Sequence, residues 1–476
     1  MVKMNQFLFK PINPSIVSIY RIIFGCFMCY QMIVYYNLDY TYQFMAGPEI
    51  LFPYRGLEFM QPLPIFYLKI IHFLLLVSSL LIILGIWYRY AIIFFFIGFT
   101  YFSFIDITLY NNHIYLFSLI SFVMIFLDAD ILYSLRRKKT KKELKNYIPA
   151  WNQYLLIFLI SLPYFFGGFA KLSSNWLRTD LTKILYNQSN SSLLHDIIPE
   201  NIFIFLIKYG GLTYDFMIVF LLLNKKTRKI GIALVILFNI TNNSLLFNDI
   251  GSFPLLMICS TILFFDSSKV SDFINTLLPN KTHKTLSKKE IKLAKRRVKK
   301  EVVHIINSTN DQIEWTKKKK ATALIIGVFI LFQITIPFRH FLLSNNPEWT
   351  GLGSRFAWRM KMQTKEIIDF KMSLIDRSNN ASGNIEAETY LTANQLKHIS
   401  EDPHNFITLA KYLYFLAEKD YNMNDPKITV DLKVKFNGLE TQNMIVPNAD
   451  LVYLDKNTFV EKSWILLLKK IKAIHF

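Results

Sequence analysis

The chain has 476 residues, of which 52% are hydrophobic and 16% aromatic, and its formal net charge is +20. This composition excludes an ordinary soluble domain, because the apolar residues come in blocks of about 18 to 24, the length that crosses a bilayer. The Lys and Arg residues lie in short runs between these blocks, as the positive-inside rule describes. We therefore expect them to set membrane topology and to contact anionic lipid, and we expect no nucleic-acid partner.

The apolar blocks predict nine membrane-spanning helices, with the N-terminus in the cytoplasm. Because no cleavable signal segment precedes the first block, that block is expected to remain a spanning helix. Basic runs before the first span and after the fourth, sixth and eighth spans then share the cytoplasmic side. The spans are expected at residues 15–36, 65–86, 89–109, 113–134, 151–172, 202–223, 230–247, 250–267 and 321–342.

The predicted fold is an all-α polytopic membrane bundle followed by a smaller α+β domain that is rich in β-structure. Alternating apolar residues from Ile428 to Phe436 predict a half-buried strand, and Asn437-Gly438 is a hairpin signal. Residues 404–419 have the apolar spacing of a helix. The predicted regions are a membrane bundle with the active site at 1–267, a basic cytoplasmic linker at 268–320, the last spanning helix at 321–342 and an extracytoplasmic domain at 343–476.

Four polar groups occur at or near the apolar blocks, where ionisable and amide side chains are costly and suggest a function. Each also has a structural explanation, because a lysine can snorkel to headgroups and amides can join helices. The three cysteines lie within apolar blocks, and no metal site is predicted. The polar groups are Asn111-Asn112-His113, Lys171, Asn242-Asn243-Ser244 with Asn248-Asp249, and Gly210-Gly211 with Asp215.

The order of these groups resembles the vitamin K-dependent gamma-carboxylase family of integral-membrane enzymes. The resemblance rests on the order of the motifs over about residues 15–475. The similar segments are Asn111 to Leu116 with Leu127-Asp128-Ala129, Trp151-Asn152, Gly168 to Trp176, Lys208 to Asp215, Asn243 to Phe247, Ile250 to Pro254, Pro337 to Leu342, Trp349-Thr350 and Arg355 to Lys361.

The resemblance implies that Lys171, as a neutral amine, takes a proton from reduced vitamin K (menaquinol or phylloquinol), with His113 assisting by hydrogen bonding. Addition of O2 would then give a strong base that removes a γ-proton from peptidyl glutamate. Addition of CO2 would give γ-carboxyglutamate and vitamin K epoxide. The resemblance implies no metal, and the expected partners are a glutamate-containing protein or peptide and membrane lipid. The residues expected to bind the substrate or the quinone are Asn112, Asn243, Ser244, Trp358, Arg359 and Arg355.

A neutral Lys171 requires a low-dielectric site, since burial disfavours the charged form of an amine. We expect that environment to come from an aromatic wall formed by Tyr164, Phe165, Phe166 and Phe169.

Several features differ from the animal members of the family. No cysteine lies outside the spans, the C-terminal domain is shorter, and Ala170 stands where animal members have a second lysine. These differences fit a bacterial, inner-membrane member. A histidine expected near Phe238-Asn239 is absent, which leaves open whether the full carboxylation cycle runs. One alternative is a quinol-dependent membrane oxygenase or epoxidase with another substrate. A second alternative, a transporter or a non-catalytic receptor, would need a polar path that spans 2, 3 and 9 do not offer.

Overall fold

The computed structural model describes residues 2–135, 147–189, 198–246, 250–277, 315–344, 346–455 and 463–469. The first half is mostly helical. Its helices are α1 (Val2–Phe9), α2 (Ser15–Asn37), α3 (Ile65–Leu84), α4 (Tyr88–Phe104), α5 (Asn112–Met124), α6 (Trp151–Lys171), α7 (Ser174–Leu177), α8 (Leu181–Asn187), α9 (Glu200–Leu223), α10 (Arg228–Thr241), α11 (Phe253–Ser260) and α12 (Ser267–Leu277). Strands β1 (Pro11–Ile12) and β2 (Ile148–Pro149) form a short antiparallel pair.

Five helices of the described residues are long and apolar enough to cross a membrane: α2, α3, α6, α9 and α13 (Lys317–Phe338). The segment from Phe253 to Phe264 and helix α12 pass the same test together, but they meet at an angle of 106°. Helices α4 and α5 are apolar but shorter. Every predicted span therefore contains a helix, but the count of nine spans is not confirmed.

The predicted third span is too long because the apolar residues after Phe104 do not continue the helix. Asp106 ends it by accepting hydrogen bonds from the backbone and the hydroxyl of Thr108, at 2.8 and 2.7 Å. Ile107 is buried in the core of the C-terminal domain. This residue is apolar because it packs against protein, and hydropathy alone cannot distinguish that from contact with lipid.

The C-terminal domain contains an antiparallel sheet with the strand order β4-β3-β5-β6. Its strands are β3 (Lys365–Ile375), β4 (Ser382–Ile385), β5 (Lys427–Phe436) and β6 (Gln442–Asn443), and its helices are α14 (His340–Leu343), α15 (Pro347–Thr350), α16 (Ala393–Ile399) and α17 (Asn405–Tyr421). The predicted strand, hairpin turn and helix all occur here. The turn needs its glycine, because Gly438 has φ +79° and a Cβ there would lie 2.9 Å from the Cβ of Asp180.

The core of this domain is completed by residues from the bundle. Ile50, Phe52 and Tyr54, from the loop after α2, are buried in the same apolar cluster as Trp349 and Phe436. Residues 278–314, which hold most of the predicted basic linker, lie outside the described residues, as does the basic run at 136–139.

Candidate functional site

A cavity of about 670 Å³ lies where the bundle meets the C-terminal domain. Its two sides differ in chemistry. The bundle contributes a largely apolar wall that includes Pro163, Phe203, Leu206, Phe238, Phe253 and Pro254. The C-terminal domain contributes charged and polar side chains, among them Glu348, Arg355, Arg359, Lys361, His398 and Glu401. A mostly apolar cavity with a few convergent polar groups is the usual form of a small-molecule site.

Lys171, the last residue of α6, lines the cavity and forms an ion pair with Asp215 of α9. Two glycines of α6 allow this close approach. A Cβ at Gly167 would lie 3.1 Å from Oδ2 of Asp215, and a Cβ at Gly168 would lie 3.2 Å from the ring of Phe216. The paired glycines therefore let α6 and α9 pack closely enough to bring the carboxylate to the amine.

The surroundings of Lys171 differ from the predicted aromatic wall. Of the four predicted aromatic residues, only Tyr164 lines the cavity. Phe165 and Phe169 are 40% and 41% exposed on the bundle surface, and Phe166 packs against Phe338. The ring that Lys171 does contact belongs to Trp176, whose centroid is 5.4 Å from Nζ. The prediction is wrong because the aromatic residues of one helix point in several directions, and most of these point away from its terminal lysine.

His113 and Asn112 line the same cavity at the start of α5. The side chain of Asn111 caps this helix by accepting the backbone N–H of His113 at 3.2 Å. The imidazole ring stacks on Phe253, with centroids 6.0 Å apart. Asn112 accepts a hydrogen bond of 2.9 Å from the hydroxyl of Tyr110. Lys171, His113 and Asn112, which are far apart in the sequence, thus share one cavity.

Asn243 and Ser244 do not line the cavity. They lie in a turn of π-helix, Asn242–Leu246, that follows α10, and both are exposed. The polar residues of this segment that do line the cavity are Asn239, Thr241 and Asn242. Asn239 stands near the position where the family resemblance led us to expect a histidine, and its amide donates to the carbonyl of Val235 at 2.9 Å.

The domain side of the cavity is formed by the segment before β3, which has an unusual backbone. Three residues of this segment have φ between 54° and 58°, a left-handed backbone conformation that residues other than glycine rarely adopt: Phe356, Trp358 and Lys361. Arg355 and Arg359 line the cavity. Trp358 does not line it, because this side chain is 1% exposed and packs on Tyr115, with ring centroids 5.1 Å apart.

Every arginine of this segment is paired with a buried carboxylate. Arg359 forms an ion pair with Glu348. Arg355 donates to Asp402 at 3.0 Å, and Asp402 also pairs with Arg55 at 3.1 Å and with His404 at 2.9 Å. Burial alone would raise the pKa of Asp402, but the charge of Arg55 and the hydrogen bond from His404 outweigh it and hold the pKa well below its ordinary value.

A partly buried lysine, Lys365, contacts the backbone of the segments that carry these carboxylates. Nζ of Lys365 donates to the backbone carbonyls of Trp349, Ser400 and Glu401, at 2.9, 2.8 and 3.1 Å. Burial lowers the pKa of Lys365 to about 7. Since Trp349 follows Glu348 and residues 400–401 precede Asp402, this one side chain joins the two segments that carry the acidic residues.

The sequence indicated Asp215 as a polar residue within an apolar block but gave it no partner. It assigned no individual role in the site to Glu348, Asn175, Glu401 or Asp402. The signal for Asp215 was present, since an aspartate within an apolar block needs a cation nearby. The carboxylates of Glu348, Glu401 and Asp402 lie in polar stretches, where an acidic residue does not by itself indicate a functional site. Among the described residues no group of three or more His, Cys, Asp or Glu side chains is arranged to hold a metal ion.

Comparison with known families agrees with the two-part architecture. Residues 9–268 match the HTTM domain family, which alone covers more than half of the chain. Residues 318–471 match the family described as vitamin K-dependent gamma-carboxylase, lumenal domain. No solved structure matches the chain. The two matches occur in order and together cover the membrane helices and the β-containing domain described above. The chain is therefore an integral membrane protein that belongs to the vitamin K-dependent gamma-carboxylase family.

Proposed function

We propose that this protein carboxylates the γ-carbon of peptidyl glutamate and couples that reaction to epoxidation of reduced vitamin K by O2, with CO2 as co-substrate. The observation that carries this proposal is a single cavity shared by two different sets of groups. Lys171, His113 and Asn112 line it from the bundle, and Arg355 and Arg359 line it from the C-terminal domain. A lipophilic quinol and a charged peptide side chain need these two environments side by side.

The residues present fit a lipophilic hydroquinone. Part of the apolar wall, including Pro163, Phe203 and Leu206, lies on α6 and α9, which are long enough to cross a bilayer. This location favours access by a molecule dissolved in the membrane. The stacked rings of His113 and Phe253 offer a flat surface for an aromatic head group. When bound, reduced vitamin K would supply the electrons that reduce O2, and its oxygenation would provide the strong base that removes the γ-proton of glutamate.

In this proposal Lys171 is the group that accepts a proton from a quinol hydroxyl. An amine accepts a proton only in its neutral form, and a neighbouring carboxylate favours the ammonium. The ion pair with Asp215 therefore has to open, or its proton has to pass to the carboxylate, before Lys171 can act as a base.

The remaining groups position the reactants. His113 and the amide of Asn112 can donate hydrogen bonds to oxygen atoms within the cavity. Arg359 and Arg355 can bind a carboxylate, since a guanidinium has five N–H donors and the described ion pair of each arginine occupies one of them. Asn243 and Ser244 are exposed, and we assign them no contact with either reactant.

We further propose that the C-terminal domain faces the side opposite to the cytoplasm. The support for this topology is the distribution of the basic runs, which fall on one side when the chain crosses the membrane in the nine predicted spans and the N-terminus is cytoplasmic. A substrate protein would then approach the cavity from outside the cell membrane, and the quinol would reach it from within the bilayer.

The test is formation of quinone epoxide by the purified protein in detergent, with menaquinol, O2, bicarbonate and a glutamate-containing peptide. We expect epoxide and labelled CO2 in the peptide with the natural sequence, and a loss of both with Lys171→Ala. Lys183→Ala is the matched control, because Lys183 is a nearby lysine whose side chain is 55% exposed.

Three outcomes are informative. Epoxide with the natural sequence, its loss with Lys171→Ala and retention with Lys183→Ala would support Lys171 as the base. Epoxide without label in the peptide would instead support a quinol-dependent oxygenase with another substrate. No epoxide from well-folded protein across several quinols would refute the proposed chemistry and limit the resemblance to the fold.

A further inference from the structure

Glu348 is a buried carboxylate that contacts both halves of the molecule at the cavity. Its side chain is 2% exposed, yet it belongs to the lining. One oxygen pairs with Nε of Arg359 in the C-terminal domain. The other accepts a hydrogen bond of 2.8 Å from Nδ2 of Asn175, in the short helix α7 that follows Lys171. Both oxygens of Glu348 are therefore used, one by each half.

Further contacts hold this arrangement in place. Asn175 and Asn346 exchange hydrogen bonds of 3.0 and 3.2 Å through their side-chain amides. Asn346 also caps α15, the helix that carries Glu348, by accepting the backbone N–H of Trp349 at 3.1 Å. On the opposite side, Nη1 of Arg359 lies 3.4 Å from Nε2 of His340. The guanidinium is thus held by a carboxylate at one edge and by an imidazole at another.

This arrangement controls how Arg359 can meet a ligand. A guanidinium is planar, with five N–H donors in a rigid fork, so a partner fixed at Nε sets the direction of the others. Within the part of the chain that the structure describes, Arg359 makes its contacts through Nε and Nη1, and its other donors remain for a molecule in the cavity. Asn175 lies in α7, which begins shortly after Lys171 ends α6. The same carboxylate therefore also links the guanidinium to the segment next to the proposed base.

We propose that Glu348, assisted by Asn175, is a positioning residue that directs Arg359 toward the γ-carboxylate of a peptidyl glutamate and fixes its spacing from Lys171. This inference rests on the proposed function and specifies which group recognises the substrate. Glu348 acts through Arg359 and does not contact the substrate. Without it, Arg359 would keep its charge but lose its orientation, and a misplacement of about 1 Å can cost roughly a hundredfold in the productive interaction.

The experiment is a binding measurement on the full-length protein in lipid nanodiscs, which requires no quinol. A fluorescent glutamate peptide and the same peptide with glutamine are titrated with the natural sequence, Glu348→Ala, Glu348→Gln and Asn175→Ala. We expect Glu348→Ala to raise the Kd of the glutamate peptide roughly tenfold to a hundredfold. Glu348→Gln should have a smaller effect, because its amide oxygen can still accept a hydrogen bond, and Asn175→Ala should be intermediate. The glutamine peptide should be affected little.

A matched control and a second readout make the result decisive. Glu366→Ala removes an exposed glutamate of β3 and should leave both titrations unchanged. In the turnover assay, the KM for the glutamate peptide should rise by a larger factor than kcat falls. Unchanged or tighter binding of the glutamate peptide by Glu348→Ala would overturn the proposal. Glu348 would then have no effect on recognition, or it would compete with the substrate carboxylate for Arg359.

An equal loss of affinity for both peptides would also overturn the proposal, since it would indicate general damage to the site. Failure of the proposed function gives a different pattern. In that case the natural sequence makes no epoxide, while the selective loss of glutamate-peptide binding still depends on Glu348.

Discussion

Removing the charge of Asp402 should strongly destabilise the junction between the C-terminal domain and the bundle. This carboxylate is 4% exposed and serves Arg55, Arg355 and His404, at 3.1, 3.0 and 2.9 Å. In Asp402→Asn one oxygen becomes an NH2 group, which directs a donor at an arginine and leaves a buried charge without its partner. Breaking a buried ion pair in this way costs about 3–5 kcal/mol. Since Arg55 lies in the loop after α2, the loss falls on the contact between the two halves.

The free energy of unfolding can be followed in detergent with guanidinium chloride, using tryptophan fluorescence. Trp349 and Trp464 are buried in the core of the C-terminal domain and report its unfolding. Asp369→Asn is the control, because its pair with Lys433 is exposed and should contribute nothing measurable. A loss below about 1 kcal/mol in Asp402→Asn would refute the reasoning, since it would place this network among ordinary surface pairs.

The same variant predicts a dependence on pH. Because the pKa of Asp402 is depressed in the folded state, its stabilising contribution is present above the unfolded pKa of about 3.9. It is lost as the pH falls through the lower folded pKa. The difference in stability between the natural sequence and Asp402→Asn should therefore be constant from about pH 5 to pH 8 and shrink only in strong acid.

Two further predictions concern stability. Burial lowers the pKa of Lys365 to about 7, so the unfolded chain binds more protons than the folded chain above that pH. The stability advantage of the natural sequence over Lys365→Met should therefore grow between pH 7 and pH 9, by at most about 1.4 kcal/mol per pH unit. A stability difference that is independent of pH in chemical denaturation would contradict this. Gly438→Ala places a Cβ at φ +79° beside Asp180 and should lower the unfolding free energy by more than about 1 kcal/mol. Gly383→Ala, where a Cβ would meet no atom within 4 Å, is its control, and equal effects of the two substitutions would argue against steric strain.

The elements that could be predicted from sequence are those whose pattern is local. The alternation from Ile428 to Phe436 and the turn at Asn437-Gly438 depend on neighbouring residues, and both occur in the structure. The end of the third predicted span, at residue 109, was not predictable in this way. Ile107 lies within that span but packs in the core of the C-terminal domain. Hydropathy measures how strongly a residue avoids water and does not identify what covers it.

The candidate site was predictable to the extent that it depends on isolated polar residues in apolar surroundings. Lys171, His113 and Asn112 stood out for that reason, and they line one cavity. Their partners did not stand out. The pairing of Lys171 with Asp215 depends on the close packing of α6 on α9, and the pairing of Arg359 with Glu348 depends on the left-handed turns between them. Both pairings depend on tertiary structure, which residue spacing does not reveal.

The location of the charges explains why the site lies at the junction of the two halves. A charged side chain facing lipid is costly, and a charge buried in a protein core is costly unless it is paired. The described ion pairs that surround the cavity satisfy both conditions, since Asp215, Glu348 and Asp402 each neutralise at least one basic residue while an apolar wall closes the membrane side. Arg55 and Asn175 come from the bundle and bind carboxylates of the C-terminal domain. Separating the halves would break these contacts and remove Ile50, Phe52 and Tyr54 from the core of the C-terminal domain. We therefore expect that domain to retain neither its core nor its arginine geometry when expressed without the bundle.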